Sequence, residues 1–283
     1  MRNRRVLMGS RRERVPRSLL IGGVLVALIV LAALLSFVWT PFDPIRVDAP
    51  NRLHEFSGSN LLGTDSFGRD VLSQLMVGAR TTLYVGVVAV GIAALIGTPL
   101  GILAGMSSRW LGEFVMRVND LVLAFPALLL AIMFGAVFGA DTLTAMVAIG
   151  IATIPSFARI ARSGTLQVMS SEFVPAARSA GRSRLNIAAR HVLPNISGLL
   201  IVQASVSFAI AVLAEAALSF LGFGTRPPTP SWGRMLQESQ VFLTLHPRLA
   251  LVPGVAIAIA VLGFNLLGDG LRDRLDPRLA ARL

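Results

Sequence analysis

The chain has no cysteine and no lysine among its 283 residues. Without cysteine there is no disulfide framework, no thiolate zinc site and no cysteine nucleophile. Without lysine there is no Walker-type phosphate loop, whose lysine reaches the β- and γ-phosphates. If nucleotide powers this protein, another subunit binds it. Charge is also scarce. Only 14% of the residues are charged, against about 25% in an average soluble domain. Too little polar surface is present to cover a globule in water, so lipid is the expected solvent for most of the chain. The three histidines, His54, His191 and His246, fall on separate loops without metal-ligand spacing. No Ser-His-Asp set or carboxylate pair converges, so nothing points to an enzyme.

Six apolar stretches are present instead. Leu19 to Trp39 is uncharged, as is Leu83 to Met106. Leu121 to Phe138 is entered through Asp120, and Thr142 to Ala158 is ended by Arg159. Ile196 to Phe223 is interrupted only by Glu215, and Leu249 to Gly268 is the sixth. A helix needs about 20 apolar residues to cross a hydrocarbon core of about 30 Å. The first run is longer than the apolar core of a cleavable signal peptide and ends in Trp39 and Pro41. It therefore reads as a retained span, and the expected fold is all-α with six transmembrane helices.

The arginines orient those spans. Even crossings place 19 of the 26 on the side of both termini, which predicts cytoplasmic N- and C-termini. The opposite side holds seven arginines and seven acidic residues. The net charge of +11 is then a topology signal, with attraction to anionic lipid a secondary benefit and no nucleic acid implied.

The longest cytoplasmic connection, Arg159 to Asn195, exceeds what closing a helical hairpin requires. Its Ala-, Arg- and Leu-rich middle, Ser171 to Arg190, predicts a helix. Ser170 or Ser171 is placed to cap it, with Pro175 in its first turn. Gly181 allows a sharp reversal before a second short helix that stops ahead of Pro194. Such an element reads either as a docking helix for a partner or as a basic helix resting on headgroups.

Residues 172–194 read EFVPAARSAGRSRLNIAARHVLP. The string resembles the EAA loop of ABC importer permeases at Ala176, Ala177, Gly181, Leu193 and Pro194. It departs where Pro175 replaces a glutamate and His191 an isoleucine. The peptide-importing branch is similar in both respects and carries an acidic residue a few positions earlier, here Glu172. Three further strings resemble that dipeptide/oligopeptide/nickel (DppC/OppC-type) branch. They are GTDSFGRD at 63–70 (Gly63, Thr64, Asp65, Gly68, Arg69, Asp70) with Arg80 beyond it, AEAALSFLGFGTRPPTPSWG at 214–233, and FNLLGDGLRDRLDPR at 264–278.

The resemblance implies a type I ABC importer permease fold in a bacterial inner membrane. Its layout would be a basic cytoplasmic tail at 1–18, a first span at 19–39 and an external loop at 40–79. A permease core would follow at 80–269, with its coupling loop at about 166–194, and a cytoplasmic tail at 270–283. The implied partners are a homologous DppB/OppB-type permease, two ABC ATPases and an external solute-binding protein. ATP and magnesium would sit on the ATPases and no cofactor on this chain. Bulk at Ala176, Ala177 or Gly181 would hold the docked surfaces apart. The implied cargo is a di- or oligopeptide, with glutathione or a nickel chelate as alternatives within the family. A secondary transporter driven by an ion gradient is a rival reading, but no internal repeat supports it. A membrane scaffold without transport is another, separable by co-purification with an ATPase that responds to this chain.

Several intramembrane features read two ways. Glu215 either lines a solute path or binds a peptide amino terminus, or else it makes a structural bond to a neighbouring helix or to the partner permease. The structural contact is favoured because Glu215 lies near the external end, where solvation costs less. Asp120 is expected to pair with Arg117 at i−3. Gly97, Gly101 and Gly105 form one helix face suited to close packing, with a gate hinge at kinking Pro99 as the alternative.

Overall fold

The computed structural model describes residues 16–275. The arginines at positions 2–14 and the tail from residue 276 onward lie outside the described residues. Ten α-helices form the described chain: α1 (Arg17–Val38), α2 (Val71–Met106), α3 (Arg109–Leu123), α4 (Ala127–Phe138), α5 (Thr142–Met169), α6 (Phe173–Ser179), α7 (Arg184–Ile187), α8 (Leu193–Phe220), α9 (Trp232–Ser239) and α10 (Arg248–Leu275). Among the described residues the one β-bridge, Thr64 to Asp70, is isolated.

Five helices are long and apolar enough to cross a membrane unaided: α1, α2, α5, the continuous stretch Arg184–Phe220, and α10. The sixth expected span is not one helix. It divides into α3 and α4, bent by 76°. Pro126 is the cause, since it has no N–H to donate and disfavours helical geometry at Phe125. The 12 residues of α4 reach about 18 Å, too short to cross alone.

Other boundaries also differ from expectation. α2 begins at Val71, twelve residues before the uncharged run, because Asp70 caps it by accepting from Ser73 N–H at 2.8 Å. The non-helical part of the 40–79 loop therefore ends at residue 70, and the expected core boundary at residue 80 falls inside a helix. α5 does not stop at Arg159. It continues to Met169, because an arginine in a helix leaves the backbone hydrogen bonds intact; Arg159 is exposed and Arg162 half-buried. Asp120 pairs not with Arg117 but with Arg159 of α5, at 2.9 Å.

The centre of the fold is the α2–α5 crossing. A methyl added at Gly97 would sit 2.7 Å from Phe157 Cβ, and one at Gly101 would sit 2.6 Å from Ala161 Cβ. One at Gly105 would sit 2.7 Å from Thr165 Cβ. All three glycines are consumed by packing, and α2 runs unbroken through Pro99. α1 lies antiparallel on α10 by the same means. A Cβ at Gly22 would meet the backbone at Leu266 and Leu267, and one at Gly270 would meet Leu19. Lipid gives helices no hydrophobic drive to associate, so close backbone approach replaces it.

At the end away from α6 and α7, the 63–70 motif ties a knot. Gly63 and Gly68 both take left-handed backbone, with φ of 71° and 80°. A Cβ at Gly68 would overlap the Asp48 carbonyl. Asp65 accepts from the N–H groups of Phe67 and Arg69 at 2.8 and 2.9 Å, and from Gln74 Nε2 at 2.9 Å. Arg69 bridges Asp65 (2.6 Å) and Glu238 of α9, which also accepts from Arg234 at 2.9 Å. Thr64 receives His54 N–H at 2.9 Å and donates to Asn51 O. Arg248 at the start of α10 donates to the carbonyls of His54, Leu62 and Thr64. Arg80 holds the Ser36 hydroxyl of α1 at 3.0 Å and lies 3.7 Å over the Phe37 ring.

Two outcomes follow from this packing. Gly101→Leu should lower the thermal midpoint of the purified protein sharply, whereas Gly91→Leu and Gly254→Leu, which open onto free space, should leave it near wild type. Asp65→Ala should destabilise by on the order of 2 kcal/mol, because it takes one of two carboxylate partners from the mostly buried Arg69 guanidinium and leaves two N–H groups unpaired. A thermal melt of the variants against wild type checks both.

Candidate functional site

The arginine-rich end carries a knuckle made of α6, α7 and their junctions. α6 starts at Phe173 with Glu172 as its N-cap, and no side chain caps it. The expected serine caps do not form, since Ser170 Oγ donates to Gln167 O and Ser171 uses its backbone carbonyl to receive Val174 N–H. α6 ends where Gly181 N–H reaches Arg178 O at 2.9 Å and Arg182 N–H reaches Ala177 O at 3.1 Å. That pair of bonds is a Schellman stop, which needs left-handed backbone at its glycine. Gly181 supplies it with φ 75°. A Cβ there meets nothing within 4 Å, so the position demands a dihedral angle rather than clearance. Ser183 then caps α7 by accepting from Asn186 N–H at 3.3 Å.

The second short helix does not stop ahead of Pro194. α7 passes through a π turn, Ala188–Val192, directly into α8, with Leu193 N–H on Ala188 O. The spacing of apolar residues explains that wide turn. Ile187, Val192 and Ile196 are all buried in one core with Ala161, Val168 and Val174. A plain α-helix brings positions three or four apart onto one face, not five. The extra residue of the π turn lets Ile187 and Val192 share a face. Leu193 and Pro194 then open α8, and Asn195 Nδ2 donates to His191 O at 2.6 Å. The His191 ring rests 5.9 Å from that of Phe173, linking α6 to the π turn.

The knuckle is thus anchored from beneath and bare on top. Val174 is buried and Ala177 half-buried, so a small residue at 177 lets α6 lie on the core. Ala176, Arg178, Arg182, Arg184 and Arg190 are exposed. Leu185, absent from the sequence-based candidates, is 80% exposed at the crest. Its only signal in the sequence is an isolated leucine between Arg184 and Asn186. One acid, Glu172, stands at the edge of this basic surface.

Glu215 lies at the far end of α8 and is 1% exposed. Its Oε1 accepts from Ser219 Oγ at 2.7 Å and from Thr225 Oγ1 at 3.5 Å. Its Oε2 has no partner among the described residues. The contact is internal to α8 and the loop after it rather than to a second helix. The loop in turn reaches the start of α5, where Thr142 Oγ1 donates to Thr225 Oγ1 at 3.2 Å, and the turn before it, where Arg226 Nε donates to Ala140 O. Asp141 caps α5, and the N–H it receives from Thr144 holds its carboxyl below the usual carboxylate range. The 63–70 motif residues are spent on the knot already described. No group of three or more His, Asp or Glu among the described residues is placed to hold a metal.

Residues 97–281 match the protein family described as the inner membrane component of binding-protein-dependent transport systems. The chain is 40% identical over 260 residues to the dipeptide transport system permease protein DppC of Alkalihalophilus pseudofirmus, covering 92% of this chain and 86% of that protein. It is also 40% identical to the glutathione transport system permease protein GsiD of Pectobacterium atrosepticum, covering 91% and 86%. A putative peptide transport system permease of Brucella suis is 41% identical over 274 residues, covering 97% and 92%. In three dimensions the chain resembles one from the inward-facing MetNI methionine ABC transporter. The TM-score is 0.61 at 18% identity, covering 72% of this chain and 96% of that one. Helical architecture, apolar spans and sequence relatives agree, and the chain belongs to the binding-protein-dependent transport system inner membrane component family as a multi-pass permease subunit of an ABC importer.

Proposed function

We propose that this chain forms half of the pathway through which an ATP-driven importer moves peptides or peptide-like solutes such as glutathione across the bacterial inner membrane. The relatives named for dipeptide, peptide and glutathione transport support that cargo class. A homologous DppB/OppB-type permease supplies the other half. An external solute-binding protein delivers cargo to the face carrying the 63–70 knot. Both termini and the α6–α7 knuckle face the cytoplasm, as the arginine distribution favours.

One observation carries the reading: a short basic knuckle, rigidly seated on the α5–α8 core, presents Leu185 and four arginines to solvent. Nothing among the described residues covers that surface, and its chemistry suits the cleft of a cytoplasmic ATPase. Two ATPases, holding ATP and magnesium, each grip one such knuckle, one from each permease. Closure of the ATPase pair draws the knuckles together and rocks the spans, and hydrolysis resets them. Rigid transmission needs the firm seat that Val174, Ile187 and Val192 provide. Ala176 belongs to the docked face, Ala177 and Gly181 set how α6 lies and ends, and Glu172 and His191 mark its flanks.

The absence of native cysteine allows a direct test. A single cysteine at Leu185 should cross-link to cysteines in the ATPase cleft during turnover, and failure to cross-link at any cleft position would remove the coupling role. Gly181→Val should abolish ATP-dependent uptake into vesicles with membrane insertion intact, because a branched side chain strains at that φ. Gly181→Asn, which tolerates left-handed backbone, should keep most of the uptake. Leu185→Glu should cut uptake by at least about tenfold, the cost of losing about 1.4 kcal/mol of contact, and undiminished uptake would contradict a docked crest.

A further inference from the structure

The helix from Arg184 to Phe220 is continuous for 37 residues. It runs from the knuckle to the opposite end of the molecule, and Glu215 sits one turn before it stops. The loop at 221–231 folds straight back onto that end. Phe223 N–H bonds Leu218 O at 2.9 Å, and Thr225 N–H bonds Ser219 Oγ at 3.0 Å. A Cβ at Gly224 would lie 2.8 Å from Ser219 Cα, and one at Gly233 would lie 2.7 Å from Ala216 Cα. Gly224 lets the loop lie flush and Gly233 does the same for the start of α9. The polar fastening to α8 comes from Glu215 beneath the loop, through Ser219 and Thr225, while Pro230 O accepts from Thr81 of α2 at 3.0 Å. Outside this fastening the loop presents an exposed crest of Arg226, Pro227, Pro228 and Thr229.

A fully buried carboxyl with one oxygen unpartnered is a costly way to close a helix end. Leucine or alanine would fill the position without that cost. What the carboxyl adds is directional attachment, since one oxygen gathers hydroxyls from the last turn of α8 and from the loop. We infer that Glu215 is a positioning residue that fastens the 221–231 loop to the far end of α8, so that the loop travels with the helix when the knuckle is drawn by the ATPase. The inference rests on the coupling role proposed for the knuckle. It makes the Arg184–Phe220 helix a rod with an input at Leu185 and an output at the Arg226–Thr229 crest. The Thr142 hydroxyl and the Ala140 carbonyl, on the other side of the loop, are the contacts across which the output is read.

The test uses the assembled complex in lipid nanodiscs, with two single-cysteine reporters made in separate preparations. Thr229→Cys reports the crest through its rate of maleimide labelling, and Arg182→Cys reports the knuckle through cross-linking to the ATPase. Both should respond to a non-hydrolysable ATP analogue when Glu215 is intact. Glu215→Leu should abolish the nucleotide-dependent difference at Thr229→Cys while leaving the knuckle cross-link unchanged. Thr225→Val, a gentler change that removes the hydroxyl shared by Glu215 and Thr142, should do the same. Thr142→Val, which leaves the Glu215 bond in place, should keep the response, and this pair decides the matter if Glu215→Leu fails to assemble. Glu215→Gln, which keeps an acceptor oxygen for Ser219 and Thr225, should restore the response. A crest that still responds in Glu215→Leu or in Thr225→Val, or that fails to respond with Glu215 intact while the knuckle does, overturns this inference alone. A knuckle that ignores nucleotide with Glu215 intact overturns the coupling role and this inference together.

Discussion

Close contact between helix backbones, made possible by glycine, is the interaction on which the rest of this structure depends. In lipid, apolar side chains gain nothing by leaving one apolar surrounding for another, so helices must associate through packing and buried polar contacts. Gly97, Gly101 and Gly105 bring α2 onto α5, and Gly22 and Gly270 bring α1 onto α10. With those crossings set, the broken α3–α4 span and the α8 rod have fixed surfaces to lie against, as the shared core of Ala131, Met146 and Leu218 shows.

Polar chemistry is concentrated at the two ends. The 63–70 knot gathers Asp65, Arg69, Glu238 and Arg234 into one ion-paired group and uses Arg248 to satisfy three loop carbonyls. A loop deprived of water must satisfy its backbone internally, and this one does so by borrowing side chains from α9 and α10. The other end is built on the opposite plan. Its knuckle has an apolar underside seated on the α5–α8 core and a charged crest that is exposed among the described residues.

The π turn at Ala188–Val192 and the Schellman stop at Gly181 together show how a short loop becomes rigid. The first adjusts register so that Ile187 and Val192 enter one core, and the second ends α6 without a side-chain cap. Neither device adds much energy alone. Their effect is geometric, holding a seven-residue helix at a set angle on a long one.

The six apolar runs were readable because the demand behind them is one-dimensional: lipid requires about 20 apolar residues in a row whatever they later touch. The glycine face of α2 was readable for a similar reason, since a four-residue period is visible along the chain. The loop strings were recognisable by spelling, but what their residues do was not. Asp120 finds Arg159 rather than its near neighbour Arg117, and Glu215 finds a loop hydroxyl rather than a second helix. α5 outlasts its apolar run, the third span breaks at Pro126, and α7 flows through Pro194 into α8. The sequence by itself determined the membrane solvent, five of the crossings and the family. Only the tertiary structure decided which side chains meet and where the helices begin, bend and end, because those outcomes depend on caps and partners far apart along the chain, which no local period records.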